Sequence, residues 1–185
     1  IFQHIFHSKQ VMLRVNHTKK TKMQASLLLI HPNDLETLII EAETIQYVLE
    51  SSFIRQSFYL GNVWEALNQV LNPANQQAEN SLKFIIQTEH PLSDKINQPS
   101  LVRYNTVVRV AEIQKNLQHL TVDEIKKRYQ FTVANTAPEA LEHELRLAEL
   151  NLIYLQLQDF YREAIRNNWA VGSVFQEKIQ PEKLI

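Results

Sequence analysis

LEHELRLAELNLIYLQLQDFYREAIRNNWAVGSVF, residues 141–175, is the stretch on which the fold of this chain turns. Leu141, Leu145, Ala148, Leu152 and Leu155 recur at alternating spacings of four and three, which draws one apolar stripe along a helix. Leu150, Ile153, Tyr154, Leu157, Phe160 and Tyr161 then add apolar residues on other sides. A helix apolar round most of its circumference has to be enclosed by its neighbours. Asn167-Asn168 can end it, since asparagine tolerates the left-handed cap conformation, and Trp169 to Phe175 reads as a closing strand. The expected fold is α+β: a mostly helical single domain, with a small sheet of short strands packed on a central C-terminal helix.

The preceding chain supplies the rest. Ala25 to Ile30 is a short apolar run closed by His31-Pro32, a buried strand. Asn33 is placed to cap a helix whose stripe is Leu35, Leu38, Ile39, Ala42, Ile45 and Leu49. Glu36, Glu41, Glu43 and Glu50 lie mostly off that stripe and read as a solvated face. Phe53 to Leu60 is extended and stops at Gly61, after which Asn62 can cap a helix carrying Trp64, Leu67 and Leu71 on one side. Pro73 to Asn80 is a polar loop, and His90 to Ser100, with Pro91 and Pro99, is irregular. Leu82, Phe84 and Ile86 alternate with Lys83, Ile85 and Gln87, as a strand would. Asn105 or Thr106 opens a helix with Val107, Val110, Ala111 and Leu117 inward. Thr121 with Glu124 forms a capping box ahead of a short helix, and Thr136 with Glu139 repeats it, with Pro138 in the first turn.

Composition narrows the function. The 185 residues, 44% of them hydrophobic, can bury one sizeable core. The absence of cysteine excludes disulfides, thiolate metal sites and thiol nucleophiles, and fits a cytoplasmic setting. With Gly61 and Gly172 as the only glycines, neither a dinucleotide fingerprint nor a phosphate-cradling loop can be written. No apolar run approaches the ~20 residues of a membrane span. Residues 1–22 hold five Lys or Arg and no acid, so residues 23–185 carry 14 − 20 = −6. The expected organisation is a poorly ordered basic leader over 1–22, outside the native domain, and a single domain over 23–185. Such an acidic body suits a basic protein partner rather than nucleic acid or membrane.

Candidate site residues are few. Trp64 is either a wedge between strand and helix or a stacking surface for a ligand. Glu65 beside it could serve as an acid or base in a cleft, although a glutamate near a helix start also complements the helix dipole. Arg103-Tyr104, at a helix entry, could orient an anion, and the alternative is a salt bridge. The seven histidines include no pair in the body at i, i+3 or i, i+4, so no metal site is expected. No serine sits in a glycine-flanked elbow, and no cofactor is called for.

The order of these elements resembles the YfbM-like family, small bacterial single-domain proteins of unknown function. Four blocks carry the resemblance: LLLIHPNDLETLI, YLGNVWEALNQVL, RYNTVVRVAEIQKNLQHLTVDEIKKRY and YLQLQDFYREAIRNNWAVGSVF. Family members often show L-D-x-D-K-x-W-H-x-L-H in the tryptophan helix. Trp64 and Leu67 match, but the lysine falls at Asn62 and the histidines at Glu65 and Asn68. A Gly-Gly ahead of the R-Y pair is replaced by Gln98-Pro99-Ser100, so any site built on those positions in relatives has different chemistry here. The resemblance implies a fold and no settled activity. The expected function is binding in the cytoplasm, for instance as the neutraliser of a basic toxin. The alternative is a cleft for a small anionic metabolite that gathers Trp64, Glu65, Asn68, Arg103 and Tyr104, with or without catalysis.

Overall fold

The computed structural model describes residues 23–73, 81–133 and 140–177. In chain order these form β1 (Gln24–Ile30), α1 (Pro32–Glu41), α2 (Ile45–Glu50), β2 (Ile54–Gly61) and α3 (Trp64–Leu71). A 3₁₀ turn (Ser81–Phe84), β3 (His90–Pro91), a second 3₁₀ turn (Pro99–Leu101), β4 (Val102–Asn105), α4 (Val107–Leu117), α5 (Val122–Val133), α6 (Ala140–Arg166) and β5 (Ala170–Gln176) complete them. The strands make one antiparallel sheet in the order β2-β1-β5-β4-β3. The fold is α+β, as the sequence predicts.

The sheet is buried on both faces. Ala25, Leu27 and Leu29 of β1 and Val171 and Phe175 of β5 join Leu67, Val110, Leu157 and Tyr161 in the larger core, on the side of α3 to α6. Leu28, Ile30, Val102 and Val174 face the other way, against Leu35, Leu38, Ala42 and Val48 of α1 and α2. A strand enclosed on both sides needs no polar alternation, which is why residues 27–30 read LLLI. At Gly172 of β5 an added Cβ would lie 3.1 Å from Ile30 Cδ1, so the two central strands meet this smaller core closely packed.

Several local readings are corrected. The stripe from Leu35 to Leu49 faces inward, but in two helices: Ala42 is extended and Thr44 starts α2 by accepting from the Tyr47 amide. His31, not Asn33, caps α1, its Nδ1 accepting from the Asn33 amide at 3.2 Å. α3 starts after Val63 without a side-chain cap, so Asn62 does not cap it. Ala111 of α4 is exposed, and Ile113 takes its place in the core. In the Thr121 box the hydroxyl accepts from the Glu124 amide at 3.2 Å, while the Glu124 carboxylate pairs with Arg128. The second box falls at 134–139, and most of the Pro73–Asn80 loop at 74–80, outside the described residues.

The largest correction concerns α6. Its buried face is Leu150, Tyr154, Leu157, Phe160, Tyr161 and Ala164. The regular stripe is on the opposite side: Leu145, Leu152 and Leu155 are 64%, 58% and 46% exposed, and Ala148 is exposed with them. α6 is therefore central to one core without being enclosed. Hydrophobic periodicity locates a stripe but not the side of the helix the rest of the chain covers.

Two features of this framework can be measured. Gly61 has φ of +57° at the end of β2, beside a register shift opposite Ala25, and its neighbour Tyr59 packs over it. Gly61→Ala is expected to lower the unfolding free energy by about 1–2 kcal/mol, the cost of an L-residue in that region, read from urea titration. Burial pushes the Tyr154 hydroxyl up to about 12 and the Tyr161 hydroxyl up as well. A raised tyrosine contributes stability that is full below the unfolded value of about 10 and is lost as pH climbs through the folded one. Thermal melts of Tyr154→Phe should fall less steeply than those of the parent above about pH 10, and equal slopes would refute this.

Candidate functional site

From Phe84, where the first 3₁₀ turn ends, to Glu89 the chain forms no strand. Leu82, Ile85 and Ile86 are the buried hydrophobic positions here, a spacing that turns rather than alternates. Buried backbone outside a ladder still needs hydrogen-bond partners, and here side chains supply them. Asn105 Nδ2 donates to Phe84 O at 2.8 Å, and its Oδ1 accepts from the Glu89 amide at 2.9 Å. Tyr161 Oη donates to Ile85 O at 2.7 Å. Arg103 Nε donates to Thr88 O at 2.6 Å and its Nη2 to Glu89 O. The buried Thr88 and Ser173 hydroxyls lie 2.8 Å apart. The segment is a strap tied across the sheet by β4, β5 and α6.

One side of the strap forms a wall of an open cleft of about 550 Å³, completed by Met23, Trp64, Leu101 and Phe175. Trp64 packs edge-on against Phe175, with centroids 5.0 Å apart, and donates from Nε1 to Met23 O at 3.0 Å. It is a wedge at the rim of the core and also a cleft wall. Lys83 and Arg103 line the same cleft, and no carboxylate or histidine is among its lining residues. Lys83 Nζ lies 4.7 Å from the centre of the Phe84 ring. The neighbouring Glu89 is taken by Arg109 in a two-pronged pair at 2.7 and 2.8 Å. That guanidinium holds the Glu89 carboxyl below its ordinary value.

Of the sequence-derived candidates, the structure brings Trp64 and Arg103 together in this cleft. Glu65 is exposed and Asn68 bonds to Asn72, neither lining the cleft. Tyr104 packs with the smaller core, across the sheet from the strap, its ring 5.3 Å from His90. Arg103 and Tyr104 are strand residues, pointing to opposite faces, rather than a helix entry. Lys83, Phe84 and Thr88 were hidden by the strand reading of their segment. Among the described residues no three metal-ligating side chains gather, and no helix is long and apolar enough to cross a membrane.

A second surface lies on α6. The exposed stripe from Leu145 to Leu155 runs about 15 Å, at 1.5 Å per residue. Glu142 and Glu149 flank it on one side and Glu144 on the other. It leads to a groove of about 610 Å³ between α6 and β2, lined by Phe58, Tyr59, Gln156, Asp159 and Glu163. Glu142, Asp159 and Glu163 pair with arginines of their own helix. Glu144 and Glu149 make no ion pair among the described residues.

A two-sided antiparallel sheet with one long helix spanning its larger core defines a single α+β domain. The chain belongs to a domain-of-unknown-function family, DUF1877, whose model matches residues 18–172. Among solved structures it is similar to YfbM from Escherichia coli, a protein of unknown function, at a TM-score of 0.60 and 16% identity. That match covers 83% of this chain and 99% of the other. At that identity the likeness shows the fold, and the YfbM-like kinship read from the sequence blocks holds. No curated protein matches.

The strap gives a sharp test. Asn105→Ala leaves Phe84 O and the Glu89 amide without their partner and is expected to remove about 2–4 kcal/mol of stability. Thr106→Ala, which deletes an exposed helix cap next door, should remove about 1 kcal/mol. Urea titrations giving equal losses would show that the strap does not depend on Asn105.

Proposed function

We propose that this domain works by binding, and that the exposed face of α6 receives a basic amphipathic helix from a partner protein. The observation that carries the reading is a heptad-spaced apolar stripe left uncovered on the side of α6 opposite the core. Helices present such seams to other helices, which bury them by interlocking side chains. The flanks select the partner. Glu144 and Glu149, which make no ion pair among the described residues, lie within a body of formal charge −6 and attract lysine and arginine at the edges of an incoming helix. A second copy of the chain fits poorly, because it would set one acidic flank against another. A cytoplasmic neutraliser of a basic toxin is one function of this kind. The catalytic alternative has less support, since the cleft wall offers no carboxylate or histidine to move a proton.

The test uses a designed helical peptide with leucines at heptad spacing and lysines on both flanks, titrated by fluorescence anisotropy. Binding should weaken as salt is added and fall at least ~10-fold in Leu152→Glu and in the double variant Glu144→Lys, Glu149→Lys. Two results sink the proposal: equal binding of a glutamate-flanked peptide, or sedimentation showing a dimer of the parent that Leu152→Glu disperses.

A further inference from the structure

We propose that the cleft between the strap and Trp64 is a binding site for a small anionic molecule with a planar aromatic ring. The inference uses no residue of the α6 face, so it stands or falls separately from the partner-binding reading. Three features of the cleft point the same way.

Its size comes first. About 550 Å³ falls within the roughly 300–1,000 Å³ of small-molecule pockets. Its walls come second. Trp64, Phe84 and Phe175 give the cleft aromatic sides, the surface on which a flat ring stacks or makes edge contacts. Its charge comes third. Lys83 and Arg103 line it and none of its described lining residues is a carboxylate, in a domain whose body is acidic overall. Glu89, next in the chain to the lining residue Thr88, interacts with Lys83 but is engaged chiefly by Arg109.

The two cations have different tasks. Arg103 is fixed by its Nε and Nη2 bonds to the strap carbonyls. Its Nη1 makes no hydrogen bond to a described residue, so a pre-oriented donor remains for a carboxylate or phosphate oxygen. Lys83 is exposed beside Phe84 and can close over the anion as a mobile point charge. Thr88 is unsuited to bind the ligand through its hydroxyl, which is buried against Ser173. Gln87 and Ser100, exposed on the lining, are the neutral polar groups in reach. Among the described lining residues there is no carboxylate or histidine, so recognition without chemical change is the expected behaviour.

Titration with indole-3-acetate, adenosine monophosphate and the cation tryptamine, followed by two-dimensional amide NMR, tests the site. At least one of the two anions should shift the Trp64 indole N–H and the Lys83 amide, and which one does so identifies a carboxylate or a phosphate ligand. Tryptamine should bind at least ~10-fold more weakly than that anion, and Lys83→Glu should weaken the anion by a similar factor. Lys83 is exposed and outside the strap's hydrogen bonds, so this variant leaves the fold in place, which its amide spectrum will report. Tryptamine binding as well as the anions, or neither anion perturbing these signals at millimolar concentration, would overturn the assignment.

Discussion

Six residues of backbone, Phe84 to Glu89, have no strand partner and yet lie against the core, and the molecule is organised around satisfying them. Asn105, Arg103 and Tyr161 reach the strap from one strand and one helix. An unpaired buried carbonyl or amide would cost about 1–3 kcal/mol, and several lie in this short stretch. Because the same three side chains come from β4 and α6, the strap also fixes how helix and sheet meet. The cleft follows from that constraint: the strap forms one of its walls, and the arginine that ties the strap down lines the cleft.

Much of the fold could be read from the sequence because its strongest signals are local. The LLLI run, the extended segment ended by Gly61 and the Thr106 and Thr121 caps each dictate a nearby hydrogen bond or a buried face. Where reading failed, the deciding partner was distant. Residues 82–87 have the alternation of a strand, but no free strand edge receives them, and Tyr161 and Asn105 provide the carbonyl partners instead. The seam of α6 reads as inward-facing in the sequence because a stripe of leucines has the same pattern whether it meets its own core or another molecule. In fact the irregular set containing Tyr154, Leu157, Phe160 and Tyr161 is buried.

The candidate site was half legible for the same reason. Trp64 and Arg103 are conspicuous residue types beside a glycine turn and a proline-rich stretch, and they meet in the cleft. Tyr104 follows Arg103 in the chain, but strand geometry sends adjacent side chains to opposite faces. Lys83 and Phe84 carried no sequence signal, since their role comes from a strap that tertiary contacts alone create. The two surfaces also divide charge in an ordered way: the cleft is cationic, while the long helix shows acid on both sides of its leucines.

The position of β5 has a consequence for biosynthesis. Ala170–Gln176 is the last described strand, yet it fills the middle of the sheet between β1 and β4. Until those residues leave the ribosome, β1 and β4 have no shared neighbour, and the emerging chain presents two unzipped edges. β1 can pair with β2 early, but its pairing with β5 must wait for a segment more than a hundred residues downstream, a long closure that slows folding. The two halves of the sheet, β2-β1 and β4-β3, are joined only when β5 takes its place between them.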